Sequence, residues 1–251
     1  NDTLRYLQTD FPWRPGAHEK LTFSMMYAFS ENFILPLSHD EVVHGKCSLI
    51  GRQPGDYWRQ FAGLRLLALY QMTHPGGKLN FMGNEFGQFI EWRFYEGLEW
   101  FLLDYDHHRQ HQEFIRQLNR LYRAEPSLWR REHGWDGFEW IDPDDRADSI
   151  LSCARRGEKD DVTLVVINFR TDSHFGFRLG APEPGRWREI FNSDEERFGG
   201  SGQHYNPGIL RTEEIPANGR AQSLTLTVPP LGGVILRWDG GALEPEPRAE
   251  K

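Results

Sequence analysis

The hydrophobic pattern changes character once along the chain. Asn1-Asp2-Thr3-Leu4-Arg5-Tyr6-Leu7 reads as a capped helix already under way. Leu21, Met25 and Phe29 stand at helical spacing and predict a helix over residues 18–30. Residues 32–38, Asn-Phe-Ile-Leu-Pro-Leu-Ser, form a short, mostly apolar run, as expected of a strand buried on both faces; Pro36 weakens it by removing a ladder donor. Pro54-Gly55-Asp56 opens a helix whose apolar stripe runs through Phe61, Leu64 and Ala68 to about Thr73. Leu79–Gly83 reads as a second short strand, and Phe114, Leu118, Leu121 and Tyr122 mark another helix. Helix and strand alternate here as in parallel α/β units, but two strands cannot close a barrel.

After Trp135 short runs rich in Val, Ile, Phe and Trp appear, at 138–141, 149–155, 162–169, 175–179, 187–191, 223–228 and 234–238. Gly, Pro, Asp and Asn separate them, which predicts an antiparallel sandwich. The expected organisation is α/β plus all-β: residues 1–131, then an all-β domain at 132–238, then a disordered tail at 239–251. The start at Asn1, within a helix, is expected of a piece of a longer chain.

Composition narrows the function classes. Net charge is −8, so a basic face for nucleic acid or anionic membrane is not expected. No apolar run approaches ~18 residues, so no membrane span is expected. Two cysteines in unlike contexts, Cys47 and Cys153, fit a reducing cytosol rather than a disulfide framework. Nine tryptophans are many; flat apolar ligands such as sugar rings are one reading, and core filling is the expectation for most of them.

In parallel α/β folds ligands bind beyond the carboxyl ends of the strands, which singles out Ser38–Lys46 and Gly83–Trp92. The first offers Asp40 and Glu41, the second Glu85 and Glu91. Glycoside chemistry needs two carboxyl groups about 5–5.5 Å apart for retention or about 6.5–9.5 Å for inversion. Asp40 and Glu41 are neighbours and point apart; Asp40 with Glu85 is geometrically conceivable. Dull readings stand beside these. His39 next to Asp40 also fits a structural pair closing a loop, Glu85 also fits a helix cap, and His44 reads as solvated. His107, His108 and His111, with Asp104 and Asp106, read as a solvated, acid-capped helix start rather than a metal site. No metal or cofactor is expected.

Phe33-Ile34-Leu35-Pro36-Leu37-Ser38-His39-Asp40-Glu41-Val42-Val43-His44-Gly45-Lys46 resembles the fourth short signature of the α-amylase superfamily, in the form found in bacterial glycogen branching enzymes. Leu79–Gln88 resembles their eighth barrel strand and its loop, and 184–194 with 223–231 resemble their terminal β-domain. The resemblance implies the C-terminal portion of a (β/α)8 barrel, about strands 7 and 8, followed by a β-sandwich. It implies an α-glucan substrate, cleavage of an α-1,4 bond and transfer to a 6-hydroxyl with retention. Asp40 matches the family's third carboxylate, which stabilises the transition state, and His39 matches a residue binding hydroxyls of the same sugar. Glu85 is a candidate for the cleft lining. Nucleophile and acid/base would lie upstream of Asn1, in an N-terminal part acting as partner, so the chain alone is expected to be inactive. A trehalohydrolase, an amylase-like hydrolase or a non-catalytic glucan-binding fragment are the alternatives.

Overall fold

The computed structural model describes residues 1–158 and 160–241. Of the segment expected to be a disordered tail, 242–251 lies outside the described residues. Asp239 is held: its N–H donates to Arg186 O (2.8 Å) and its carboxylate meets Arg188 (2.7 Å).

Two short helices, α1 (Asp2–Gln8) and α2 (Glu19–Thr22), precede β1 (Ile34–Leu37). The long α3 (Tyr57–Thr73) leads to β2 (Gly77–Asn80), and α4 (Asp106–Ala124) follows. The helix expected over 18–30 is only α2 and a 3₁₀ turn at Phe23–Met26. Leu21 and Met25 are buried but Phe23, Met26 and Tyr27 are exposed, so no continuous apolar stripe holds a longer helix. β2 lies earlier than its expected range. β1 and β2 pair in parallel, Ile34 opposite Gly77 and Leu37 opposite Asn80. The expectation of a strand buried on both faces fails for β1: Ile34 is 59 % exposed and only Leu37 is buried.

Helix α3 is buried on every side from Phe61 to Thr73. One side supports the parallel pair, where the Gln71 amide donates to Leu35 O (2.8 Å) and Leu79 O (2.9 Å), bridging β1 to β2. The other side meets the all-β region.

That region is an antiparallel sandwich. Strands β3 (Phe138–Asp145), β4 (Ile150–Arg156), β5 (Val162–Asn168), β7 (Arg186–Asn192), β8 (Leu210–Arg211) and β10 (Gly232–Trp238) form one sheet, in the order β3-β4-β5-β10-β7-β8. Strands β6 (His174–Gly180) and β9 (Ser223–Val228) form the second. Side chains alternate along each strand. Leu164, Val166, Val234 and Leu236 pack with Leu179, Leu224 and Trp187 between the sheets, while Val165, Ile167 and Ile235 join the helices. A Cβ at Gly233 would lie 2.7 Å from Leu69, so glycine lets β10 approach α3 this closely. Buried guanidinium groups cross the same boundary: Arg65 donates to Phe198 O (3.0 Å) and Arg155 to Thr73 O (2.7 Å).

Most of the tryptophans serve the cores: Trp187 is fully buried, and Trp58, Trp92, Trp140 and Trp238 are partly buried against them, while Trp13, Trp100, Trp129 and Trp135 are exposed. Among the described residues no helix is long and apolar enough to cross a membrane.

Candidate active site

The chain leaves β1 at Ser38 and turns at once through a 3₁₀ turn, His39–Glu41. The turn is a capping box. The Ser38 N–H and hydroxyl both donate to Glu41 Oε2 (2.7 Å each), and the Asp40 N–H donates to Ser38 Oγ (3.2 Å). Arg52 donates to the Glu41 carbonyl from the next loop. Glu41 is therefore a structural cap, and its cap aims Asp40 outward.

Asp40 stands at the tip, its side chain 70 % exposed, with Oδ1 3.5 Å from His39 Nε2. The His39 ring is not free. It packs against Phe81 and Trp92, with ring centroids 5.9 and 5.8 Å away, and those two rings pack at 5.2 Å and 89°. Phe81 directly follows β2, and its N–H donates to Leu37 O (2.8 Å), so the two strand ends are locked level. Trp92 is anchored by its N–H on Val42 O (2.8 Å). Phe81 and Trp92 complete the wall around His39, and sequence reasoning did not name them as site residues. The available signal was position: Phe81 sits in the second apolar run and Trp92 ends the loop already singled out.

Glu85 emerges from the same end of the parallel pair as Asp40, but its Oε2 accepts from the Gly83 N–H (2.7 Å) and is committed to its own turn. Gly83 has φ 91°, a left-handed conformation in which a side chain is strained. Glu91 is likewise occupied, accepting from Gly45 N–H (3.1 Å) and Cys47 N–H (2.6 Å), which hold its carboxyl below the ordinary value. His44 is fully solvated beside it.

The histidines of α4 correct the solvated reading. His108 and His111 are buried, facing the loop after β2. His108 Nδ1 donates to Phe86 O (2.7 Å), and burial pushes the His111 imidazole down to about 3. Among the described residues no cluster of three or more metal-type side chains occurs.

Comparison with known proteins bears on the whole chain. Residues 140–239 match the alpha amylase C-terminal all-beta domain. The 1,4-alpha-glucan branching enzyme GlgB of Halothermothrix orenii is 51 % identical over 238 residues, 94 % of this chain and 38 % of that protein. The same enzyme of Aquifex aeolicus is 49 % identical over 241 residues, 96 % of this chain and 38 % of that protein. Among solved structures, type I pullulanase from Bacillus subtilis, complexed with maltose, aligns with TM-score 0.63 at 14 % identity, covering 96 % of this chain and 35 % of that one. An alpha-amylase from H. orenii aligns with TM-score 0.54 at 13 % identity, covering 94 % and 47 %. At such identities these two show a shared fold alone. The chain spans under two fifths of the length of the curated relatives it matches. By sequence the chain belongs with the bacterial 1,4-alpha-glucan branching enzymes, and it carries the all-β domain found at the C-terminus of alpha amylases.

Proposed function

We propose that the chain is the C-terminal part of a 1,4-alpha-glucan branching enzyme, in which Asp40 stabilises the transition state of a retaining transfer. β1 and β2 are then neighbouring strands of a (β/α)8 barrel whose remaining strands come from preceding polypeptide. Two features support this. β1 is open on one side, and a cavity of about 210 Å³ lined by Leu4, Tyr27, Ile34 and Tyr70 lies beside it, room for further packed chain. Asp40 also leaves the carboxyl end of a parallel strand, where such folds carry chemistry.

The observation that carries the reading is the likeness at about half identity over nearly the whole chain, with Asp40 on a cap-held, solvent-facing turn beside His39. A carboxylate there stabilises positive charge developing on the sugar ring and accepts hydrogen bonds from its hydroxyls, as His39 also does. It does not replace a nucleophile, because retention proceeds through a covalent glycosyl-enzyme. The chain alone is therefore inactive, and nucleophile and acid/base belong to the preceding part. Glu85 contributes to the cleft only if its cap on Gly83 opens. The two free cysteines fit a cytosolic enzyme.

Treating amylose with the full-length enzyme tests the reaction class. Loss of iodine colour without new reducing ends is the expected result. Rising reducing ends would instead assign a hydrolase.

A further inference from the structure

The loop after β2 presents two aromatic rings for which the proposed reaction has no use. Arg93 to Glu96 form a turn, closed by the Glu96 N–H on Arg93 O (3.2 Å) and by the Arg93 guanidinium on both Glu96 carboxylate oxygens (3.1 and 3.2 Å). Its central residues are Phe94 and Tyr95. Turn centres usually hold Gly, Pro, Asn or Asp, which suit the dihedrals or bond their own backbone. Here two large rings stand in water, 82 % and 67 % exposed, with centroids 5.1 Å apart and planes at 90°. Local rules are broken in this way mostly where function asks for it.

The stem below them is pinned. Glu91 takes the Gly45 and Cys47 N–H groups, and Glu99 Oε2 takes those of Phe89 (2.8 Å) and Ile90 (2.9 Å). Between these anchors Trp92 bonds Val42 and packs on His39, the neighbour of Asp40. An exposed aromatic tip thus stands on a fixed base that touches the wall of the candidate site.

We propose that Phe94 and Tyr95 are a stacking platform for glucose rings of an α-glucan chain beyond the Asp40 turn. This rests on the functional reading above and adds an outlying subsite to it. The C–H faces of a pyranose ring lie against aromatic faces, and its hydroxyls suit flanking groups such as Arg93 and Glu96. Two rings at right angles suit an α-1,4 chain, whose curvature turns successive sugar faces.

The test uses the full-length enzyme and its Phe94→Ala/Tyr95→Ala variant. KM for amylose should rise about tenfold with kcat changed less than about twofold, and Phe94→Trp should keep the wild-type KM. Affinity electrophoresis through amylose reads binding without turnover. A retarded wild type and an unretarded double variant support the platform even if no branching is detected, which separates it from the reaction assignment. Equal retardation of both, or none of the wild type, overturns it even where branching proceeds normally. A loss of self-association in sedimentation with retardation unchanged would assign the turn to contact with a second copy and likewise overturn it.

Discussion

The sandwich and the Asp40 turn are built by opposite means. In the sandwich every residue of β5 is buried, and its sheet is covered on one face by β6 and β9 and on the other by α3. Geometry there is set by packing, spread over many side chains. The Asp40 turn buries little; Ser38, Glu41 and Arg52 hold it through a few directed hydrogen bonds. Stability and candidate chemistry therefore rest on different residues in this chain. Damage to the sandwich should cost folding, and damage at the turn should cost activity.

The sharpest way to break that comparison is Trp187→Ala. Trp187 is fully buried between the sheets, and removing it should cost about 3–5 kcal/mol in urea unfolding of the 251-residue chain. A loss below about 1 kcal/mol would show that packing does not dominate there. Glu132→Gln comes next. Glu132 Oε1 accepts from Lys78 Nζ (3.0 Å) and Tyr122 OH (2.9 Å), joining β2, α4 and the approach to the sandwich. The side chains of the pair are 11 % and 6 % exposed, so its loss should cost about 3 kcal/mol by the same measurement.

Acid probes the same packed interior. Burial pushes the His74 imidazole down to about 4 and that of His111 to about 3, from 6.5. Both stay neutral in the fold at a pH where the unfolded chain binds protons. Their contribution is intact above pH 6.5 and is lost as pH falls from 6.5 toward 4 and then 3. Thermal melts across this range should fall less steeply for His74→Gln than for wild type; equal slopes would remove His74 from the account. The smallest stability effect is expected at the turn, where Glu41→Ala removes a cap and should cost about 1 kcal/mol. Its effect on turnover in the full-length enzyme should be proportionally larger, because Asp40 loses its aim.

The same contrast explains what could be read from sequence. β5 and α4 were legible because their signals are local, a continuous apolar run from Val162 and helical spacing through Phe114 and Leu118. The burial of His108 and His111 was not legible, because it comes from a loop folding back over an acid-flanked helix start. The end of the 18–30 helix and the openness of β1 depend on which neighbours are present, and local pattern carries no such information. At the site, spacing alone left Asp40 as one of four candidate carboxylates, with Glu41, Glu85 and Glu91. Resemblance distinguished Asp40, and the structure then shows the other three bound to backbone N–H groups. The site role of Trp92 is not legible in the sequence, because its contact with His39 exists only once β1 and β2 are paired.

Asp40 is expected to serve chemistry and not the fold. Turnover and melting temperature of Asp40→Asn, measured on one preparation of the full-length enzyme, test it most directly. Turnover should fall about a thousandfold with the melting temperature unchanged. Near-normal turnover, or a melting temperature lowered as far as by Trp187→Ala, would contradict it.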